Sequence, residues 1–138
     1  MPIEPEAVEP VAEQKVAYPE LIERLRKAGA TEVNGLDYVK TGMDVDAEVT
    51  PQSLCAVAAV LKQEHFSLET LVGVDRQPEF EVLYLFKTDD KGPRVKLHVK
   101  TDRETATLPT LTEVYGGADW YEREVYDMFG INFTDHPH

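Results

Sequence analysis

The chain has 138 residues, of which 42% are hydrophobic and 29% charged, with a formal net charge of −12 at pH 7. This length and balance indicate a soluble globular protein with its own core. The negative charge argues against nucleic-acid binding, which needs clustered lysine and arginine, and against adsorption to an anionic membrane surface.

Residues 1–17 are acidic and rich in proline, with few large apolar side chains. They lack the basic and apolar regions of a signal peptide, and no apolar run in the chain approaches the ~18 residues that suggest a membrane span. The sequence therefore predicts a disordered tail at 1–17, a single domain at 18–138, no direct membrane span and a cytoplasmic location.

Helical and strand patterns alternate through the first half of the predicted domain. A helix is expected over residues 19–28, because proline suits the first helical turn and Gly29 can end the helix. Residues 43–49 alternate apolar and acidic side chains, which predicts a half-buried strand. Thr50 is then expected to cap a second helix that starts at Pro51. The apolar face of that helix consists of Leu54, Val57, Ala58 and Leu61.

The second half of the domain begins with three predicted strands. Residues 68–74 form the first of them, and residues 80–86, which are apolar on both sides, predict a central strand. Residues 95–99 follow after a turn at 89–92, which indicates a β-hairpin. The outward side of the last strand is basic and carries Arg94, Lys96, His98 and Lys100. This row is expected to be a solvated face, with contact to an acidic partner as the alternative.

The order of these elements, which ends in a helix, predicts an α+β fold. In this fold the helices pack on one face of a mainly antiparallel or mixed sheet, and the last element is a short aromatic-rich helix. Period-2 runs joined by a short turn do not suit a parallel β-α-β array.

Few residues suggest catalysis or cofactor binding. The sequence has no Gly-rich phosphate loop, no nucleophile elbow and no paired cysteine motif. The single Cys55 cannot form an internal disulfide or supply an iron–sulfur cluster, which usually needs four thiolates, and it is expected to be a buried structural thiol. His136 and His138, with Asp135 nearby, make a poor metal site because they offer two imidazoles and no thiolate. The sequence thus predicts no catalytic residue, no cofactor and no metal.

The densest pattern of charged and aromatic residues lies at 118–133 and predicts the short final helix. Asp119 and Glu122 have the spacing of a capping box at its start. Gly130 is expected to end the helix in the left-handed conformation, which glycine adopts without steric penalty.

Two sides of this helix carry different residues. The first side is mainly apolar and consists of Tyr121, Val125, Met128 and Phe129. The second side consists of Trp120, Arg123, Glu124 and Asp127. On the second side, Arg123 is placed to stack on Trp120 and to pair with Asp127.

The carboxylates of this stretch raise the alternative of a hydrolase that uses Glu122, Glu124 and Asp127. Glu122 and Glu124, however, lie about 200° apart around a helix and cannot converge on one bond. Arg123 would also keep a neighbouring carboxylate ionised, which is the opposite of a general acid. Aromatic and charged residues surround the helix, which favours burial against a second protein surface. A free-standing protein-binding adaptor is the other alternative.

The stretch 120–137 resembles the signature of the 30 kDa-type (C subunit) family of NADH dehydrogenase, which includes short homologues in energy-converting (Ech-type) nickel–iron hydrogenases. In that signature an aromatic residue precedes Glu-Arg-Glu, and Asp, Gly, Phe and His-Pro follow. The matching positions are Trp120, Glu122, Arg123, Glu124, Asp127, Gly130, Phe133, His136 and Pro137. A weaker resemblance extends back through Gly73-Val-Asp75 to about Thr50.

The resemblance implies a non-catalytic docking and assembly subunit of a membrane-associated electron-transfer complex. Such a subunit packs on the large, hydrogenase-like (49 kDa-type) subunit beside an iron–sulfur subunit, on the cytoplasmic face of the membrane. It carries no redox centre, and the signature residues are expected to form its interface. The resemblance does not distinguish NADH dehydrogenase from a hydrogenase complex, nor does it identify the electron donor and acceptor.

Family members usually continue after His-Pro with an arginine-rich segment, whereas this sequence stops at His138. The resemblance therefore leaves two expectations open, a truncated chain or a member of a short branch. It assigns no role to residues 1–17.

Overall fold

A five-stranded sheet forms the centre of the protein, with its strands in the order β1-β2-β5-β4-β3. The structure is a computed structural model that describes residues 18–89 and 92–138. The strands of the sheet are β1 (Thr31–Gly35), β2 (Val45–Val49), β3 (Ser67–Asp75), β4 (Phe80–Lys87) and β5 (Arg94–Thr101). The helices are α1 (Pro19–Lys27), α2 (Tyr38–Thr41), α3 (Leu54–Gln63) and α4 (Ala118–Phe129). A separate parallel pair consists of β6 (Thr107–Pro109) and β7 (Asn132–Thr134).

The sheet is mixed. The pairs β1–β2, β3–β4 and β4–β5 are antiparallel, whereas β2 and β5 are parallel, with Val45 opposite Val95 and Val49 opposite Val99. This arrangement confirms the predicted α+β fold with a mixed sheet. The predicted β4–β5 hairpin is also confirmed, although the middle strand of the sheet is β5 and β4 lies next to it.

The three longer helices, α1, α3 and α4, lie on one face of the sheet, as predicted. Helix α1 buries Leu21, Ile22 and Leu25, and α3 buries the apolar stripe that its sequence predicted. Since side chains alternate along a strand, every second residue of the inner strands meets these helices. These covered residues are Val45, Ala47, Val49, Val82, Tyr84, Phe86, Val95, Leu97 and Val99. Apolar burial of this extent is the main stabilising contribution to the fold.

The predicted element boundaries are correct in some places and wrong in others. Helix α1 begins at its proline, as expected, and ends one residue early. Helix α3 does not start at Pro51, because residues 50–53 form a turn in which the Thr50 hydroxyl accepts a hydrogen bond from the Ser53 amide at 3.3 Å. The short elements β1, α2, β6 and β7 were not predicted, since their three to five residues include too few apolar side chains to show a regular alternation with polar ones.

Side chains of opposite charge face one another on the sheet's other face. Arg94 of β5 pairs with Glu69 of β3 at 2.6 Å. The His98 ring lies between two carboxylates: Nε2 contacts Asp46 of β2, and Nδ1 is 3.2 Å from Glu81 of β4. Two members of the predicted basic row are therefore paired within the chain, which supports the interpretation of this row as an ordinary sheet face.

Some predictions lie outside the described residues. These are the tail at 1–17 and two positions of the predicted turn, residues 90 and 91. In the part of the chain that the structure covers, no helix is long and apolar enough to cross a membrane.

Candidate functional site

Helix α4 contains most of the signature residues, and it packs on β3 through an aromatic ring. The Phe129 ring lies directly over Gly73, where an added Cβ would come within 2.5 Å of the ring carbon Cε2. The same ring meets Phe80 edge-on, with the centroids 5.7 Å apart. Only a residue without a side chain permits this approach, so Gly73 determines how closely α4 packs on the sheet.

The start of α4 differs from the predicted capping box. Gly117 is the N-cap residue and offers no side-chain hydrogen bond, and the helix begins at Ala118. Asp119 is therefore already inside the first turn and cannot cap it. The end of the helix is as predicted, with Gly130 in the left-handed conformation at φ +75°.

Glu122 is fully buried and connects α4 to the segment before it. Its Oε1 accepts a 2.6 Å hydrogen bond from the Thr110 hydroxyl, and its Oε2 accepts a 2.8 Å bond from the Leu111 amide. Burial raises the pKa of Glu122, although both hydrogen bonds act in the opposite direction. Both carboxylate oxygens are therefore engaged by hydrogen bonds within the protein, and the side chain has no surface exposed to solvent.

A second cluster forms where the residues after β7 return to the start of α4. Nε2 of His136 lies 3.1 Å from Oδ1 of Asp119 and 3.8 Å from Oε1 of Glu122. Nδ1 of His138 lies 3.1 Å from Oδ2 of the same aspartate. The His138 amide donates a 3.0 Å hydrogen bond to Nδ1 of His136. The sequence placed these two histidines near Asp135, whereas the fold brings them to Asp119.

Arg123 is exposed, and its nearest carboxylate is not the predicted one. Its Nε lies 3.4 Å from Oδ1 of Asp119, one helical turn before it, and not next to Asp127. The predicted stacking is confirmed, since the guanidinium carbon lies 5.4 Å from the centroid of the Trp120 ring. Asp119 and Asp127 are equally spaced from Arg123 along the helix, so the sequence alone could not decide between them.

The outer side of α4 forms one wall of a cleft of about 620 Å³. Large side chains are exposed along α4, with exposed fractions of 57% for Trp120, 52% for Tyr126 and 75% for Met128, and the first two line the cleft. Met128 therefore does not share the buried side of the helix with Val125. The cleft is lined by Trp120, Glu122, Arg123, Glu124, Tyr126, Asp127, Asn132, Phe133, Asp135, His136 and His138.

The predicted site residues thus separate into an inner and an outer group. Inside the fold, Glu122 and Phe133 are buried and His136 is half-buried, while Gly130 ends the helix at an exposed position. On the outside, the exposed residues are Trp120, Arg123, Glu124, Asp127 and Pro137. Sequence reasoning missed the partners that hold Glu122, because Thr110 and Leu111 lie in a segment with no distinctive pattern.

Comparison with known proteins gives a consistent result. A family model described as the 30 kDa subunit of respiratory-chain NADH dehydrogenase matches residues 47–138. The NADH-quinone oxidoreductase C subunit of Roseiflexus castenholzii is 40% identical over 102 residues, which cover 68% of this chain and 58% of that protein. The protein of the same name from Roseiflexus sp. strain RS-1 is 37% identical over 130 residues, which cover 85% of this chain and 70% of that protein. The chain spans between about half and 70% of the length of such relatives.

Two solved structures have the same fold. A trypsin-resistant fragment of Nqo5 superimposes with a TM-score of 0.69 at 32% identity, covering 87% of this chain and 97% of that one. A chain of a membrane-bound sulfane sulfur reductase, described as an archaeal respiratory membrane complex, superimposes with a TM-score of 0.71. The superposition covers 90% of this chain and 72% of the reductase chain. Because the two sequences are only 20% identical, the similarity shows a shared fold and nothing more.

Proposed function

This chain belongs to the family of the 30 kDa subunit of respiratory-chain NADH dehydrogenase, and from this we propose that it is a non-catalytic docking subunit of a membrane-associated electron-transfer complex. The relatives, which are C subunits of NADH-quinone oxidoreductase, favour a complex of that type over a hydrogenase. The proposed partners are the large, hydrogenase-like subunit and a neighbouring iron–sulfur subunit, and the proposed location is the cytoplasmic face of the membrane.

The division of α4 into two sides carries this proposal. The inner side holds the fold together through Glu122 and Val125, which are buried. The outer side exposes three large side chains, Trp120, Tyr126 and Met128, of which the last two lie about 160° apart around the helix. Aromatic residues and methionine are enriched at protein interfaces, where they bury large areas at low entropic cost. An outer face of this composition is what a docking helix requires.

The environments of Glu122 and Cys55 support the proposal that this subunit neither transfers electrons nor catalyses hydrolysis. Glu122 has both oxygens occupied by hydrogen bonds from Thr110 and Leu111. The single thiol, Cys55, is half-buried and lies 3.6 Å from the carbonyl oxygen of Thr110, and burial raises its pKa. A raised pKa disfavours the thiolate that metal clusters and redox chemistry need. We therefore propose that other subunits of the complex carry the electrons.

Co-purification with the large subunit tests the proposal. Trp120→Ala combined with Tyr126→Ala should prevent assembly, because it removes the exposed aromatic area of α4. Tyr38→Ala is the matched control, since Tyr38 is 50% exposed and lies on α2, away from the signature. The control should assemble fully, and any complex that does assemble should have normal turnover.

Arg123 provides a second variant for the same experiment. Arg123→Ala should weaken assembly and Arg123→Lys should restore it only in part, because an ammonium cannot reproduce the planar guanidinium fork. Full assembly of these variants with turnover abolished would assign the signature to chemistry. Equal loss of assembly in Tyr38→Ala would show that α4 is not the docking element.

A further inference from the structure

The cluster at the start of α4 combines three side chains that bind transition metals. Asp119 contributes a carboxylate oxygen, His136 its Nε2 and His138 its Nδ1, and these three atoms all lie within 4.8 Å of one another. We propose that Asp119, His136 and His138 form a binding site for a divalent transition-metal ion, with Zn²⁺ as the preferred ion.

The distances between the ligand atoms are close to those of a real site. With Zn–N and Zn–O bonds of about 2.0–2.2 Å, two ligands of a tetrahedral ion lie roughly 3.3–3.5 Å apart. Here each imidazole nitrogen is 3.1 Å from an oxygen of the same aspartate. The three ligand atoms, now within 4.8 Å of one another, need to come closer together, and the His138 side chain is 64% exposed and can adjust. The rigid partner is Asp119, because the first turn of α4 holds its backbone.

The donor set determines which ions fit. Two imidazoles and one carboxylate suit Zn²⁺ and its neighbours in the transition series, whereas Mg²⁺ and Ca²⁺ prefer oxygen ligands throughout. Three protein ligands leave the fourth position of a tetrahedral ion free, and two of the three, His136 and His138, also line the cleft. Water would occupy this position in the isolated chain, so the ion should exchange with solvent.

Metal binding has to displace several existing interactions, among them the 3.3 Å contact of His136 Nε2 with the carbonyl oxygen of Asp119. The His138 amide donates to Nδ1 of His136, which places the proton of a neutral ring on Nε2, facing Asp119. A metal at Nε2 requires that proton on Nδ1, so the bond from the His138 amide must break. Arg123 also competes, because its Nε lies 3.4 Å from Oδ1 of Asp119. An ion bound there would free the guanidinium, which already lies over Trp120.

Calorimetric titration of the full chain, without a histidine tag, with ZnCl₂ tests the site. We expect one ion to bind per chain, and His138→Ala to weaken binding at least tenfold. Because His138 is exposed, this variant should keep its fold, which circular dichroism will verify. His65→Asn is the matched control, since His65 is exposed, lies outside the cluster and has φ +71°, a conformation that asparagine tolerates.

A spectroscopic measurement separates this site from adventitious binding. In nitrogen-15 NMR spectra, zinc should shift the ring nitrogens of His136 and the amide of His138 while leaving His65 unchanged, and MgCl₂ should shift none of them. The proposal fails if no binding occurs at millimolar zinc, if His138→Ala binds as tightly as the original chain, or if His65→Asn weakens binding equally. The titration uses zinc alone, so its result is independent of assembly with other subunits.

Discussion

The carboxylate of Glu122 accepts a 2.8 Å hydrogen bond from the backbone amide of Leu111, and both residues are fully buried. The second carboxylate oxygen accepts the hydroxyl of Thr110 at 2.6 Å. One acidic side chain thus fixes the chain segment before α4 to the helix itself. The signature therefore contains a residue that shapes the proposed docking helix from inside the fold, where no partner can reach it.

Replacing Glu122 with alanine should lower the free energy of unfolding by about 3 kcal/mol, because two buried donors lose their acceptors. Glu122→Gln should be less severe, since its amide retains one acceptor oxygen. Urea unfolding of the isolated chain measures both values. The control is Glu124→Ala, an exposed neighbour that should change stability by less than about 0.5 kcal/mol. Equal effects at the two positions would contradict the structural role of Glu122.

Arg123→Ala should change the stability of the isolated chain by less than about 1 kcal/mol. The Arg123 side chain is 52% exposed, and exposed ion pairs contribute little to folding. Urea unfolding beside the Glu122 variants checks this expectation. Together with the assembly experiment, the result shows whether Arg123 contributes to binding of the partner subunit or to the stability of its own chain. A loss of several kcal/mol would mean that Arg123 acts within its own subunit.

Gly73→Ala should destabilise the chain by about 1–3 kcal/mol, because the new methyl group would overlap the Phe129 ring and push α4 away from β3. Combining it with Phe129→Leu should recover part of the loss. Thermal and urea unfolding both measure the effect. Gly116→Ala is the control, since an added Cβ there meets no atom within 4 Å. Equal stability of the Gly73 and Gly116 variants would show that the close packing of Phe129 on Gly73 does not contribute to stability.

His98 should make stability depend on pH. Hydrogen bonding to Asp46 raises the pKa of His98 above its ordinary value of 6.5, burial acts against this, and Glu81 adds to the increase. Because the folded-state pKa lies above the unfolded one, the stabilisation is complete below about pH 6.5 and is lost as the pH rises through the folded-state pKa.

The measurement for His98 is the difference in unfolding free energy between the original chain and His98→Gln, taken near pH 6 and near pH 9. The difference should be larger at the lower pH. In an Asp46→Asn background this dependence should shrink, because the largest cause of the raised pKa is then absent. A difference that grows towards pH 9 would contradict the assigned pair.

Periodic sequence patterns predicted the fold well, because they reflect one buried side of an element. The stripe of α3, the hairpin of β4 and β5, and Gly130 at the end of α4 all depend on neighbours close in sequence. The parallel pairing of β2 with β5 joins segments fifty residues apart and leaves no local signal.

The partners within the site were harder to predict. Asp119 and Glu122 have the spacing of a capping box, yet Glu122 is buried on Leu111 and Asp119 faces two histidines that follow it by 17 and 19 positions. Charged side chains pair with the groups that lie next to them in the folded chain. The spacing of residues along one helix therefore could not identify these partners. The role of the signature as an interface stays a prediction, which the exposed aromatic side chains of α4 support.

The parallel pair of β2 and β5 also determines where the chain can be divided. The family model begins to match at residue 47, which lies inside β2. A recombinant fragment limited to residues 47–138 would lack α1, β1 and the start of β2. It would leave the start of an interior strand, β5, without its partners at residues 45 and 46. Unpaired edges of apolar strands promote aggregation. The start of the family-model match is therefore not the start of the folding unit, and a well-behaved fragment must begin before Pro19.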